Sequence, residues 1–264
     1  MYKIIFSDVD GTLLDSSHNL SSLNKEAIKK VISKGIPFVI ISGRSPSAIR
    51  LINKLGDFKS PMICYGGCLM KDENDNVLFN IGLDKNKSNE ILNYLTNKYD
   101  DITYCIYADD NWYSPDRSHP RIKLEEEIVR YPAIEGDMSK VKEELINKML
   151  IISNEKDTIT IEKDLTNRYP MYSIVKSSNI QIEIMPKGIN KGFAVLKFCS
   201  IKGIDLKDVV ALGDHFNDEP MLDIVGKYYL MNNAPEDLKK KLTPFYKTNN
   251  ESGVYYALKD AKLI

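Results

Sequence analysis

The chain has 264 residues, room for one large or two modest domains, with 43% hydrophobic and 28% charged side chains and a formal net charge of -1. That is the balance of an ordinary globular protein, and it supplies no global field that would draw the chain to nucleic acid or an anionic membrane. The longest apolar runs, such as IPFVII at 36–41, are far too short to span a bilayer, and four scattered cysteines (Cys64, Cys68, Cys105, Cys199) lack the second pair or histidines of a zinc site.

The first residues, KIIFS at 3–7, read at once as a short buried strand, without the charged flank, long apolar stretch and cleavage site of a signal peptide. With unpaired cysteines, this leads to the expectation of a reduced, cytoplasmic protein. Residues 24–34 carry an amphipathic helical pattern that Gly35 ends as a left-handed cap would. IPFVIIS at 36–42 is a continuous apolar strand of the kind covered on both faces. A helical pattern follows at 45–55, a strand at 61–65, and a hairpin around the polar centre of CLMKDENDNVLFN. Strand and helix in alternation predict a parallel sheet with right-handed crossovers.

Near residue 84 the rhythm changes. EILNYLTNKY reads as helix and ITYCIYADDNWYS as a hairpin; two charged helical stretches and strands at 171–176 and 180–185 follow. The pattern is α+β, and about a hundred residues suffice for a separate domain. NKGFAVLKFCSIKG then resumes as helix, DVVALGDHFND as a buried strand ending in acids, and KYYLMNN and PEDLKKKL as strand and helix. The expected fold is α/β, a Rossmann-like parallel sheet core built from residues 1–83 and 187–264, with an α+β domain inserted at 84–186.

Three strands end in polar groups: Asp8 and Asp10 after the first, Ser42 after the second, Asp214 and Asp218 after a late one. In open parallel sheets ligands bind at the carboxyl ends of strands, near the switch in strand order, so these clusters should converge on one crevice. Clustered carboxylates require a cation. Hard oxygen ligands suit magnesium, and an ion between Asp8 and Asp214 would offset their repulsion and bridge to a phosphate. Calcium loops are excluded: DVDG puts glycine at the fourth place rather than the sixth, and the loop starting DENDN has Leu83 at the twelfth.

DVDGTLLD at the N-terminus, ISGR after the second strand, Lys191 in GINKG, and GDHFND together resemble the four motifs of the haloacid dehalogenase superfamily of phosphohydrolases. Their order, and the long insertion between the second and third, are similar to its Cof-like branch with an α/β cap; the resemblance spans the chain. It implies a magnesium-dependent phosphatase that hydrolyses a small phosphorylated metabolite, a sugar phosphate or cofactor phosphate, through an aspartyl-phosphate. Asp8 would be the nucleophile. Asp10, two residues on and so on the same side of an extended backbone, would act as general acid and then base. Gly11 would let the backbone turn close to the phosphate. The resemblance further implies phosphate binding by the amides of Val9 and Gly43, the Ser42 hydroxyl, Lys191 at its helix start and Asn217. The metal would be held by Asp8, the carbonyl of Asp10, and Asp214, with Asp218 orienting the shell.

His215 and Tyr65-Gly66-Gly67 depart from the residues common in that family without removing a catalytic group. Arg44 reads as an exposed arginine, Trp112 and Tyr113 as packing, and Arg117, His119 and Arg121 as a solvated stretch. The inserted domain would cover the crevice, exclude water and choose the substrate. The same aspartyl-phosphate could serve a phosphomutase or phosphotransferase, and a non-catalytic phosphate-ligand binding protein would keep the same fold. A dehalogenase fits less well, since those relatives lack the second acid. No nucleic-acid or membrane partner is expected, and the chain should be a monomer or weak homo-oligomer.

Overall fold

A computed structural model of the chain describes residues 2–129 and 131–264. They form two compact units: residues up to Gly43 with Ile49–Leu78 and Asn190–Ile264, and Arg44–Ala48 with Phe79–Ile189. The fold is mixed α/β around a parallel-rich sheet.

The sheet of the first unit has seven strands in the spatial order Lys227–Leu230, Val209–Gly213, Ile4–Ser7, Phe38–Ile41, Met62–Cys64, Leu69–Lys71, Val77–Asn80. The first five in that order are mutually parallel, and Leu69–Lys71 returns antiparallel. Ile4–Ser7, Phe38–Ile41 and Val209–Gly213 are buried at every position, as strands covered on both faces must be. From Ile4–Ser7 the chain steps to Phe38–Ile41 on one side and later fills Val209–Gly213 on the other. Strand order therefore reverses at Ile4–Ser7, which opens a crevice beyond its carboxyl end.

The crossovers follow local signals. Ser21 caps the Ser22–Ser33 helix by accepting from the Asn24 N–H, and Gly35 leaves it at φ 76. Asn190 caps the Lys191–Lys202 helix by accepting from the Phe193 N–H at 2.9 Å, and Gly203 closes it in the left-handed conformation. That helix is anchored by Phe198, whose ring meets Phe6 edge-on at 5.7 Å. Phe198 is 1% exposed, so truncating it to alanine would cost about 3–5 kcal/mol and loosen the helix that carries Lys191.

The second unit has a six-stranded sheet in the order Tyr172–Lys176, Gln181–Pro186, Lys148–Ser153, Ile102–Ala108, Asn111–Ser114, Ile134–Glu135. Helices Lys85–Lys98 and Thr158–Arg168 bury Ile91, Leu95, Ile161 and Leu165 with Ile106, Met149, Ile151 and Ile182 of the sheet. Lys148–Ser153 runs through the middle of the sheet, yet its sequence does not announce it. The charged run KVKEELINK leads straight into it, and its first residue is a buried lysine that pairs with Glu183 at 3.0 Å and lies over the Tyr107 ring. Among the described residues, no helix is long and apolar enough to cross a membrane.

Candidate active site

The Ile4–Ser7 strand ends one residue before Asp8. The Asp8 N–H still reaches the Leu212 carbonyl at 3.0 Å, but beyond it the chain turns: the Val9 carbonyl accepts from Leu13 at 3.0 Å and Leu14 at 2.9 Å. Asp10 therefore does not share an extended backbone with Asp8, contrary to the period-two expectation. The two side chains diverge in environment. Asp8 is buried at 10% side-chain exposure, while Asp10 is 44% exposed and accepts or shares a proton with His18 Nδ1 at 3.2 Å. Gly11 takes φ 81, and a Cβ there would collide with the Asp214 carboxylate. Glycine is required by the close approach of Asp214, and so by the acid cluster rather than by a phosphate alone.

The pairing of Ser7 with Leu212 and Ile40 brings the ends of Val209–Gly213 and Phe38–Ile41 level with Asp8. Asp214 lies one residue past its strand, 8% exposed, with Thr12 Oγ1 donating to its Oδ1 at 2.7 Å. Asp218 is fully buried. Its Oδ2 accepts from the backbone N–H groups of Asp214 and His215 at 2.9 and 3.0 Å, and its Oδ1 lies 2.5 Å from Lys191 Nζ. A side chain at Gly213 would strike Asp218, so glycine there lets the loop fold back on itself. Lys191, 2% exposed at the first turn of its helix, sits 2.5 Å from Asp8 Oδ1 as well. One ammonium thus bridges two carboxylates from opposite ends of the sequence.

Ser42 is buried at the end of Phe38–Ile41, its N–H donating to Ile63 and its carbonyl accepting from Gly66, while Gly43 is exposed. Tyr65, beside that clamp, is buried in a left-handed conformation at φ 52, an unfavourable backbone for a bulky residue. Asn217 stands exposed on the turn between His215 and Asp218, outside the buried cluster. The His215 ring is also exposed and packs edge-on against Phe216, so its link to the cluster is its backbone N–H.

Two site residues are not singled out by the sequence reading. Thr12 lies inside DVDGTLLD. Asn233 donates to the Gly11 carbonyl at 2.8 Å and reaches Asp214 Oδ2 at 3.4 Å, with its own oxygen held by the Asn249 N–H. The rule that flagged the other strand ends applies to KYYLMNN too, and would have pointed to this asparagine.

Carboxylate oxygens of Asp8, Asp214 and Asp218 lie within 4.8 Å of one another. Burial, with Asp218 and Asp214 adding repulsion, outweighs the pull of Lys191 and raises the Asp8 carboxyl to about 8. Burial also raises Asp214 to about 6, against the hydrogen bond from Thr12. Lys191 moves upward as well, because the attraction of Asp8 and Asp218 exceeds its own desolvation. These shifts agree physically: with three carboxylates and one ammonium, the ammonium keeps its proton and a carboxylate readily takes one. A divalent cation with a preference for oxygen ligands fits the same imbalance. Lys191 engages only Oδ1 of Asp8, which leaves Oδ2 for such an ion or for chemistry.

A family model described as haloacid dehalogenase-like hydrolase matches residues 5–258. The chain is 31% identical to a Haemophilus influenzae protein provisionally assigned as a phosphatase, with 98% of each chain covered. It is 29% identical to the Bacillus subtilis 5-amino-6-(5-phospho-D-ribitylamino)uracil phosphatase YwtE, with 96% of each covered. A solved haloacid dehalogenase-like hydrolase from Bacteroides thetaiotaomicron superposes at a TM-score of 0.91, covering 99% of this chain and 100% of that one. Its identity is 24%, so that likeness is one of fold.

Proposed function

The chain belongs to the haloacid dehalogenase-like hydrolases, and within that family we propose that it is a magnesium-dependent phosphatase. It hydrolyses a small phosphorylated metabolite, a sugar phosphate or cofactor phosphate, through an aspartyl-phosphate on Asp8. The observation that carries this reading is the buried cluster in which Lys191 ties Asp8 to Asp218, with Asp214 alongside.

Asp8, oriented by Lys191 on Oδ1, attacks phosphorus through Oδ2 in line with the leaving oxygen. As the new bond forms, the ester P–O bond breaks with its electron pair on that oxygen, and Asp10 supplies the proton. Asp10, now a carboxylate, takes a proton from water as that water attacks the phosphorylated Asp8, which returns the carboxylate and releases orthophosphate. Its half-exposed position suits a group that must serve both substrate and water. Lys191, the Ser42 hydroxyl, the amides of Val9 and Gly43, and Asn217 hold the phosphoryl oxygens. A magnesium ion held by Asp8, the Asp10 carbonyl and Asp214, with Asp218 in support, would supply the positive charge that lets an anionic nucleophile approach an anionic phosphate.

The test is orthophosphate release from a panel of phosphorylated metabolites and p-nitrophenyl phosphate, with magnesium and with chelator, and no acceptor present. The panel includes the phosphorylated ribityl compound in the name of YwtE, which falls in the proposed class. Release only with magnesium is expected. Phosphate that merely migrates between positions of a substrate would make the protein a phosphomutase. Purified protein with no turnover on any member would make it a binding protein.

A further inference from the structure

We propose that His18 is a positioning residue for Asp10: it holds one carboxyl oxygen so that the other carries the transferable proton. This rests on the reading of Asp10 as the acid.

His18 Nδ1 lies 3.2 Å from Asp10 Oδ1, with the two side chains 49% and 44% exposed. A surface pair of that kind is worth little by itself and needs no scaffold. This one has a scaffold. His18 sits at φ 56, a left-handed conformation uncommon outside glycine, asparagine and aspartate. A tight loop imposes it: the Asp15 carboxylate accepts from the Ser17 and Asn19 N–H groups at 2.9 and 2.8 Å, and the His18 N–H donates to the Asp15 carbonyl at 2.9 Å. Distant asparagines pin the segment leading into the loop. Asn24 donates to the Leu13 carbonyl at 3.1 Å, Asn249 to the Leu14 carbonyl at 2.9 Å, and Asn250 exchanges hydrogen bonds with Ser16 at 2.9 and 3.0 Å. The product of this loop is an imidazole held beside Asp10.

The chemistry needs such a brace. Asp10 lies in the turn that follows Asp8, half-exposed, and His18 meets one of its carboxyl oxygens there. With the proton on Nδ1, His18 donates to Oδ1, so the acid form of Asp10 carries its own proton on Oδ2. That proton passes to the ester oxygen as the P–O bond breaks, which leaves an alcohol and the Asp10 carboxylate.

The experiment compares an alkyl phosphate, whose alkoxide must be protonated as it leaves, with p-nitrophenyl phosphate, whose phenolate needs little help. His18→Ala should lower kcat on the alkyl phosphate by about 10- to 100-fold with KM little changed, and by less than about 3-fold on p-nitrophenyl phosphate. His18→Gly removes the ring and relieves the backbone, so it should fold at least as well and show the same selective loss. His18→Asn should recover most of the rate, since its Nδ2 occupies the place of Nδ1 and asparagine tolerates the left-handed backbone. Added to Asp10→Asn, His18→Ala should cost nothing more on the alkyl phosphate. Equal losses on both substrates, no loss on the alkyl phosphate, or additive losses in the double variant would overturn the role of His18 while leaving the phosphatase reading in place. Wild-type protein that turns over neither substrate would overturn both.

Discussion

Lys191 Nζ stands 2.5 Å from Asp8 Oδ1, although 183 residues separate them. The contact ties the start of the Lys191–Lys202 helix to the end of the Ile4–Ser7 strand. It also shapes the charge of the site, because the same ammonium serves Asp218 and faces a cluster of three carboxylates. The deficit left over suits the cation and the anionic substrate of the proposed reaction.

Replacing Asp8 by asparagine should lower turnover by a factor on the order of 10⁴ or more, since no neighbour offers a carboxylate in the same position. The fold should survive, because the amide fills the same volume and removes one buried charge. Phosphate release and circular dichroism check the two halves; wild-type-like rates would exclude Asp8 as nucleophile.

Lys191→Met leaves Asp8 and Asp218 buried without their shared partner, and breaking a buried pair from one side costs about 3–5 kcal/mol. The Asp8→Asn, Lys191→Met double variant should regain part of that loss. Urea unfolding of the two singles and the double measures the coupling; simple additivity would mean that the pair does not interact in solution.

Stability without metal should fall as pH rises. Asp8 and Asp214 are raised from an ordinary value of 3.8 to about 8 and about 6, so each binds its proton more tightly folded than unfolded. Their contribution is fully present below the ordinary carboxylate value and is lost as pH climbs through about 6 and then about 8. Urea midpoints in chelator should decline across that window, and magnesium should restore them by displacing the protons. Asp8→Asn should flatten the decline; a slope unchanged by that substitution would refute the assignment.

Asn233→Ala removes the donor to the Gly11 carbonyl and to Asp214. The turn that carries Asp10 then loses a constraint. Activity should fall by roughly tenfold while unfolding changes by about 1 kcal/mol. Kinetics and thermal melts on the same preparation separate the effects, and a loss of stability without a loss of rate would mark Asn233 as merely structural.

Periodicity and strand-end chemistry were enough to find the alternating core, the break in rhythm, and the carboxylates and serine that end its strands, while Lys191 stood out only through the resemblance of GINKG to a family motif. Those features depend on neighbours along the chain: an apolar run buries a strand, an asparagine caps a helix, and a charge after a strand marks where the chain leaves the core. Lys148–Ser153 escaped because the charge that opens it is accommodated by residues on other strands, Glu183 and Tyr107. The backbone at Asp10 departs from the extended expectation because the turn at Val9 is set by hydrogen bonds from Leu13 and Leu14 to its carbonyl, not by the spacing of two aspartates. Thr12, Asn233 and His18 matter through what they touch.

By itself, then, the amino-acid order determined which groups line the strand ends and that their charges need compensation. Only the folded chain decided which oxygen each donor holds, because such distances arise from sheet register, as in Ser7 opposite Leu212, and from left-handed turns such as the one at His18. Register and turn geometry are collective results of packing, and no local stretch of sequence contains them.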